Sequence, residues 1–256
     1  MAAISLDDAA WASPWRRRRV SEKVALSLGL VLTALLAPVW PGTLLVALAS
    51  LALMIGWARI RPTLVAGAMV APATFIIIGA LSVAIAIGTP TGDIWWRWGP
   101  LSINADSARR SLGLFGHGIA GTLAVLVLAT TTPMVDLLAW MRRLRMPDPL
   151  LEIASLMYRM LFLLLDATQS IRAAQVARCS DAAPLRRRFG HAAQLTGAVF
   201  LRAWRQSVRL EDGLRGRGFE SALLTLAPRR ERSAALVVVG AATLAAIWAI
   251  SWQVAR

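Results

Sequence analysis

Two arginines stand between small residues, in Ala177-Arg178-Cys179 and again 39 positions later in Gly216-Arg217-Gly218. A guanidinium is permanently charged, planar and forked, so it pairs with a carboxylate at two points, and small neighbours let its tip approach a partner closely. Spacing leaves two readings open. Each arginine closes a long helical stretch, where a cation is favoured by the helix dipole and capping is explanation enough. Alternatively, the pair presents two equivalent tips to two copies, or two homologous copies, of an acidic groove.

Other chemistry is thinly supplied. His117, His191 and the lone cysteine Cys179 are far apart in sequence, so no first-row metal site is expected, and neither a disulfide nor a thiolate cage can hold the fold. Asp136, Asp148, Glu152 and Asp166 are scattered, and Glu211-Asp212 is an adjacent pair beside arginines, not a Mg²⁺ cluster. No GxxxxGK[ST] run occurs, so any ATP is hydrolysed elsewhere and the chain is read as non-catalytic. His117 follows Gly116 in an apolar run, where packing is favoured over lining a path.

The elements that carry the two arginines are long. From Pro149 to Ser180 there is neither Gly nor a second Pro, which predicts one helix. Glu152, Arg159 and Asp166 recur every seven residues on it, a narrow charged stripe on an otherwise apolar cylinder. Placing Arg159 at mid-bilayer would cost about 2.5 to 3.5 kcal/mol, so this helix is expected to lie inside the membrane face and to bury its apolar circumference against other helices or a partner. After a break at Asp181 to Pro184 a more basic amphipathic helix is expected from Leu185 to Leu214, with Arg202, Arg205 and Arg209 on its cationic side. Gly216 and Gly218 then stop it, leaving Arg217 on an open turn.

The whole chain explains where these helices sit. With 256 residues, 57% of them hydrophobic, and charged residues at only 16%, it is too apolar for a soluble domain. A net charge of +14 would suit nucleic acid, but the several long apolar runs exclude that reading. Five runs are candidate spans: Val24 to Trp40, Thr43 to Ala58, Leu64 to Ile87, Leu112 to Thr132 and Ala234 to Trp252. The first two are short and joined by Pro41 and Gly42, which predicts a tight hairpin. Arg16 to Arg19 and Lys23 precede the first span, which puts the N-terminus inside, as an uncleaved span and not a signal peptide. Counting through, the segment from Arg142 to Arg232, with 17 arginines against 8 acidic residues, is cytoplasmic. Arg97, Arg109 and Arg110 fall outside, against the trend. Trp40, Trp57, Trp140, Trp248 and Trp252 near span ends fit the headgroup layer, and Trp95, Trp96 and Trp98 an interfacial outer loop. The expected fold is therefore all-α: a polytopic membrane protein of about five transmembrane helices, with two long cytoplasmic helices between spans four and five. Residues 1–132 form the arm and first four spans, 133–232 the cytoplasmic domain, and 233–256 the last span.

The stretch LATTTPMVDLLAWMRRLRMPDPLLEIASLMYRMLFLLLDATQSIRAAQVARCS, together with GLRGRGF from Gly213, resembles the transmembrane T component of energy-coupling factor transporters, most closely the CbiQ type of cobalt uptake systems. The similarity is strongest from Leu128 to Phe219. It implies a scaffold in the bacterial inner membrane with no solute site of its own, which holds a membrane substrate-capture subunit and rests on two cytoplasmic ABC-type ATPases that bind ATP and Mg. It also implies that Ala177, Arg178 and Cys179, and Gly216, Arg217 and Gly218, are the small-Arg-small tips that dock in grooves on those ATPases. Cys179 and Gly216 depart from the commoner Ala-Arg-Gly or Ala-Arg-Ser form while remaining small. Leu156, Met157, Met160, Leu161 and Leu164 would pass ATPase motion to the capture subunit. A self-contained metal carrier or channel, or a T component of a nickel or vitamin system, are the alternatives.

Overall fold

A computed structural model describes residues 2–87, 94–98, 101–177, 185–218 and 232–255. The chain divides into two units, Met1–Leu137 with Pro228–Arg256, and Leu138–Ala227.

The first unit is a helical bundle. Helix α1 (Ala2–Ala12) and a tight turn at Pro14–Arg17 lead into α2 (Val20–Leu36). Helix α3 (Leu44–Leu51) is flanked by wider, π-type turns at Val39–Thr43 and Ala52–Trp57, followed by α4 (Pro62–Ala84), α5 (Ala105–Thr131), α6 (Met134–Arg143) and, at the other end of the chain, α9 (Ala234–Ala255). Among the described residues, four stretches are long and apolar enough to cross a membrane: Val39–Trp57, Pro62–Ala84, Ala105–Thr131 and Ala234–Val254. The remaining expected span is α2, whose 17 residues stand at the lower limit of spanning length. It begins at Val20, four residues before the apolar run, because Glu22 and Lys23 enter the helix and not a loop. The expected hairpin between the first two spans is present: α2 stops at Leu36, the chain is extended at Pro38 and Trp40, and the Trp40–Pro41 peptide is cis.

Between α4 and α5, where a loop was expected, a small antiparallel sheet forms in the order β1-β3-β2, with β1 at Ala86–Ile87, β2 at Ile94–Trp98 and β3 at Leu101–Asn104. Trp98 pairs with Leu101 and Arg97 with Ser102. The alternating Trp-Trp-Arg-Trp run suits a pleat, and it is too short to register beside long helical periodicities.

Leu30, Val46, Met54, Val127 and Leu236 are buried together at the centre of this unit, with Trp15 and Leu123. Burial is uneven: about a third of the spanning part of α5 is buried but only 11% of that of α4. Helices approach closely at glycines, as in membrane bundles where small residues let backbones meet. A Cβ at Gly116 would lie 2.8 Å from Thr43 Oγ1, and one at Gly240 2.8 Å from Leu26.

Polar side chains tie the bundle together by donating to backbone carbonyls of neighbouring helices. Ser27 Oγ donates to the Ala124 carbonyl at 2.7 Å and Ser111 Oγ to that of Ala80 at 2.7 Å. Lys23 Nζ, fully buried, donates to the Thr131 carbonyl at 2.9 Å, at the end of α5 where Pro133 follows and the last carbonyls lose their helical donors. His117 Nδ1 lies 2.6 Å from the Ala34 carbonyl and must be the protonated nitrogen. The residue four positions after Ala34 is Pro38, which has no N–H to give, so the imidazole satisfies a carbonyl the helix cannot. His117 is thus a packing residue with a defined hydrogen-bonding task.

The second unit begins within α6, at Leu138, and continues into two long helices. Helix α7 runs over Asp148–Ala177 and α8 over Leu185–Arg215, each within a few residues of the expected bounds. The turn from α6 into α7 carries Arg145 at positive φ and an ion pair between Arg142 Nε and Asp148 Oδ1 at 2.8 Å. Helix α7 is not among the helices long and apolar enough to span.

Candidate functional site

The two long helices reach their ends differently in what can be described. Ala177 is the last residue of α7, and the tip that follows, Arg178 and Cys179, lies outside the described residues. The second tip is described completely. Helix α8 closes with the Gly216 N–H donating to the Asp212 carbonyl at 2.9 Å, Arg217 N–H to Leu214 at 3.1 Å and Gly218 N–H to Arg215 at 3.0 Å. The step from i+4 to i+3 bonds tightens the last turn, and Gly218 leaves it in the left-handed region at φ 68°, which an L side chain seldom adopts.

The charges around this tip are sorted. Arg215 pairs with Glu211 at 2.6 Å, one turn back on the same helix face. Arg217 is exposed, and its guanidinium pairs with no described residue. A cation near the last carbonyls is also favoured by the helix dipole, so capping and presentation to a partner coexist here.

Along the shafts, α7 and α8 enclose a cleft of about 580 Å³. From α7 it is lined by Ile153, Leu156, Met157, Met160, Leu163 and Leu164, and from α8 by Arg202, Ala203, Gln206, Ser207, Leu210, Glu211, Leu214 and Arg215. Four of the five flank residues singled out on α7 face this cleft, whereas Leu161 is exposed outside it. On α8 the sequence singles out Arg202 for the cationic side and Glu211 beside arginines, but not Ser207 or Leu210, nor Leu163 on α7. The signal for Leu210 was present in the spacing of Ala203, Gln206, Leu210 and Leu214, a helical stripe broken only by one Gln.

Very little of this second unit is covered by the chain itself. Helix α7 buries only Leu151 and Ala167, and none of the described side chains of α8 is buried. Met157 is 68% exposed, and Phe200 and Trp204 on α8 are similarly open. An apolar surface of that kind on helices too charged to span a bilayer is an interaction surface. Among the described residues, no three of His, Cys, Asp and Glu come together as metal ligands.

Comparison with known proteins accounts for this combination of a spanning bundle and a two-helix unit with open apolar flanks. Residues 12–226 match the model of the CbiQ family, described as cobalt transport protein. The chain belongs to the CbiQ family. It is 34% identical to the cobalt transport protein CbiQ of Rhodobacter capsulatus, over 90% of each chain. An uncharacterized protein of Methanocaldococcus jannaschii is 25% identical over 86% of this chain and 82% of its own length. A Methanocorpusculum labreanum protein with the provisional name fused cobalt transport protein CbiMQ is 25% identical over 68% of this chain and 29% of its own length. As a CbiQ chain with four helices able to cross a bilayer, this is a multi-pass membrane protein of a cobalt-transport family.

Proposed function

We propose that this CbiQ chain is the membrane scaffold and energy-coupling subunit of an ATP-driven cobalt uptake transporter. Its second unit faces the cytoplasm, as its excess of arginine over acidic residues favours. Two ABC-type ATPases, which bind ATP and Mg, engage Arg178 and Arg217, and a separate membrane subunit captures the metal. The fused CbiMQ relative supports a division of labour between components, one of which is CbiQ-like. The observation that carries the reading is Arg217: an exposed guanidinium that pairs with no described residue, set on a left-handed glycine turn at the end of a long helix. Small neighbours on both sides leave room for a carboxylate-lined groove to close over it.

Closure of an ATPase dimer would draw its two grooves together and move α7 and α8 through their tips. A rigid-body shift of these helices changes the cleft between them, and Leu156, Met157, Met160 and Leu164, with Leu161 outside it, would transmit that change to the capture subunit. The test is co-purification from a host that expresses the chain with its candidate ATPase and capture subunits. Wild type should retain the ATPase, and Arg178→Glu with Arg217→Glu should release it while the capture subunit stays bound. If wild type never retains an ATPase, or the double reversal retains it in full, the coupling reading fails and a self-contained carrier takes its place.

A further inference from the structure

The first unit carries a second basic feature that the coupling reading does not use. Helix α1 packs against α4 and α5, and between α1 and the turn that joins Trp57 to Pro62 there is a cleft of about 350 Å³. Its lining combines small and apolar residues, Ala9, Ala12, Ala58 and Leu64, with Arg59 and Arg61, Ser13 and Asp8. Both arginines are exposed, and neither guanidinium has a hydrogen bond or ion pair with any described residue. Two of the neighbouring arginines are engaged: Arg16 lies 4.0 Å above the Trp11 ring, and Arg18 lies 4.8 Å from the Trp57 ring and donates to Ser233 Oγ at 2.9 Å. Trp15 meets Trp57 edge to face at 5.3 Å beneath them.

The depth of the cleft is set by its position in the chain. Arg59 and Arg61 stand between two stretches able to cross a membrane, Val39–Trp57 and Pro62–Ala84, so they lie where spans meet the headgroup layer. The turn is held rigidly, with the Ala58 N–H on the Leu53 carbonyl at 2.9 Å, the Ile60 N–H on that of Met54 at 3.0 Å, and Arg59 at φ 53° between them. Two uncommitted guanidinium groups beside a small apolar floor, at headgroup depth, match one kind of molecule: an anionic phosphodiester joined to hydrocarbon.

We infer that this cleft binds the headgroup of an anionic phospholipid, with Arg59 and Arg61 on the phosphate and Ala9, Ala12, Ala58 and Leu64 against the first methylenes of the acyl chains. Asp8 stands at the rim as the one opposing charge and limits affinity. The site does not depend on which partners the second unit has, so it can stand or fall separately from the coupling role.

The full chain, purified in detergent, is loaded with an equimolar mixture of phosphatidylglycerol and phosphatidylcholine of the same acyl chains, and bound lipid is counted by native mass spectrometry. Wild type should favour phosphatidylglycerol about 25-fold, and Arg59→Gln with Arg61→Gln should lose about five-fold of that preference for each arginine removed. Asp8→Asn keeps both arginines and should raise the preference, which protects the test if the double variant folds poorly. Equal retention of both lipids by wild type, an unchanged preference in a folded double variant, or a lowered preference in Asp8→Asn would each overturn the inference. Displacement of phosphatidylglycerol by millimolar glycerol phosphate would also overturn it, since the site would then hold a soluble anion without its lipid.

Discussion

The two units of this chain treat their apolar residues in opposite ways. In the first, Leu30, Val46, Met54 and Val127 are sealed at the centre, and even a lysine and a histidine are consumed in bonds to neighbouring backbone. In the second, α7 and α8 leave methionines, phenylalanines and a tryptophan open along most of their length. A membrane bundle must satisfy its polar groups internally because lipid offers no hydrogen bonds, so its side chains are spent on folding. The two long helices are under no such obligation, and their surface is left for association. Burial within the chain therefore separates residues that hold the fold from residues available to partners.

The sharpest way to break this contrast is a matched pair of truncations. Leu30→Ala should destabilise the purified chain by about 2 to 5 kcal/mol, as buried leucines do, whereas Met157→Ala should cost less than about 0.5 kcal/mol because its side chain is already mostly exposed. Thermal unfolding in detergent reads both, and comparable losses would mean that α7 is packed more fully than its exposure says. Next in size is His117→Ala, which strands the Ala34 carbonyl and should cost about 1 to 3 kcal/mol in the same assay. Gly218→Val forces a branched side chain into the left-handed region; it should cost more than about 1 kcal/mol locally and show first as weaker ATPase retention, with global unfolding little changed. Smaller again is Ser27→Ala, worth about 0.6 kcal/mol for one interhelical bond in a membrane bundle. Asp148→Asn should be smaller still, no more than about 0.3 kcal/mol and vanishing in high salt, since its pair with Arg142 is solvent-screened.

Hydropathy made the bundle legible because spanning length is a hard constraint that long apolar runs either meet or miss. It placed α4, α5 and α9 within a few residues apart from the early start of α5 at Ala105, where a polar turn with Arg109 and Arg110 precedes the apolar run. It overlooked α6, whose ten residues are too short for a span and too mixed for a strong pattern. The bounds of α7 were legible from the absence of Gly and of any Pro after Pro149, and those of α8 from Pro184 before it and the two glycines after Arg215. What could not be read was pairing across helices. Nothing near His117 announces Ala34, which lies 83 positions away, and the clue is a proline four residues after Ala34 that removes the carbonyl's ordinary donor. The Arg59–Arg61 cleft was equally hidden, because its floor comes from α1 and its charges from a turn between spans.

Four bonds between helices of the bundle share one property with a further consequence. In each, the donor is a side chain and the acceptor is a main-chain oxygen, at Ala34, Ala80, Ala124 and Thr131. Every amino acid carries that oxygen, so the receiving positions can change identity, within the limits of size, without losing the link, while Lys23, Ser27, Ser111 and His117 cannot. Tolerance to substitution should therefore be lopsided across each helix contact, permissive on one side and restrictive on the other.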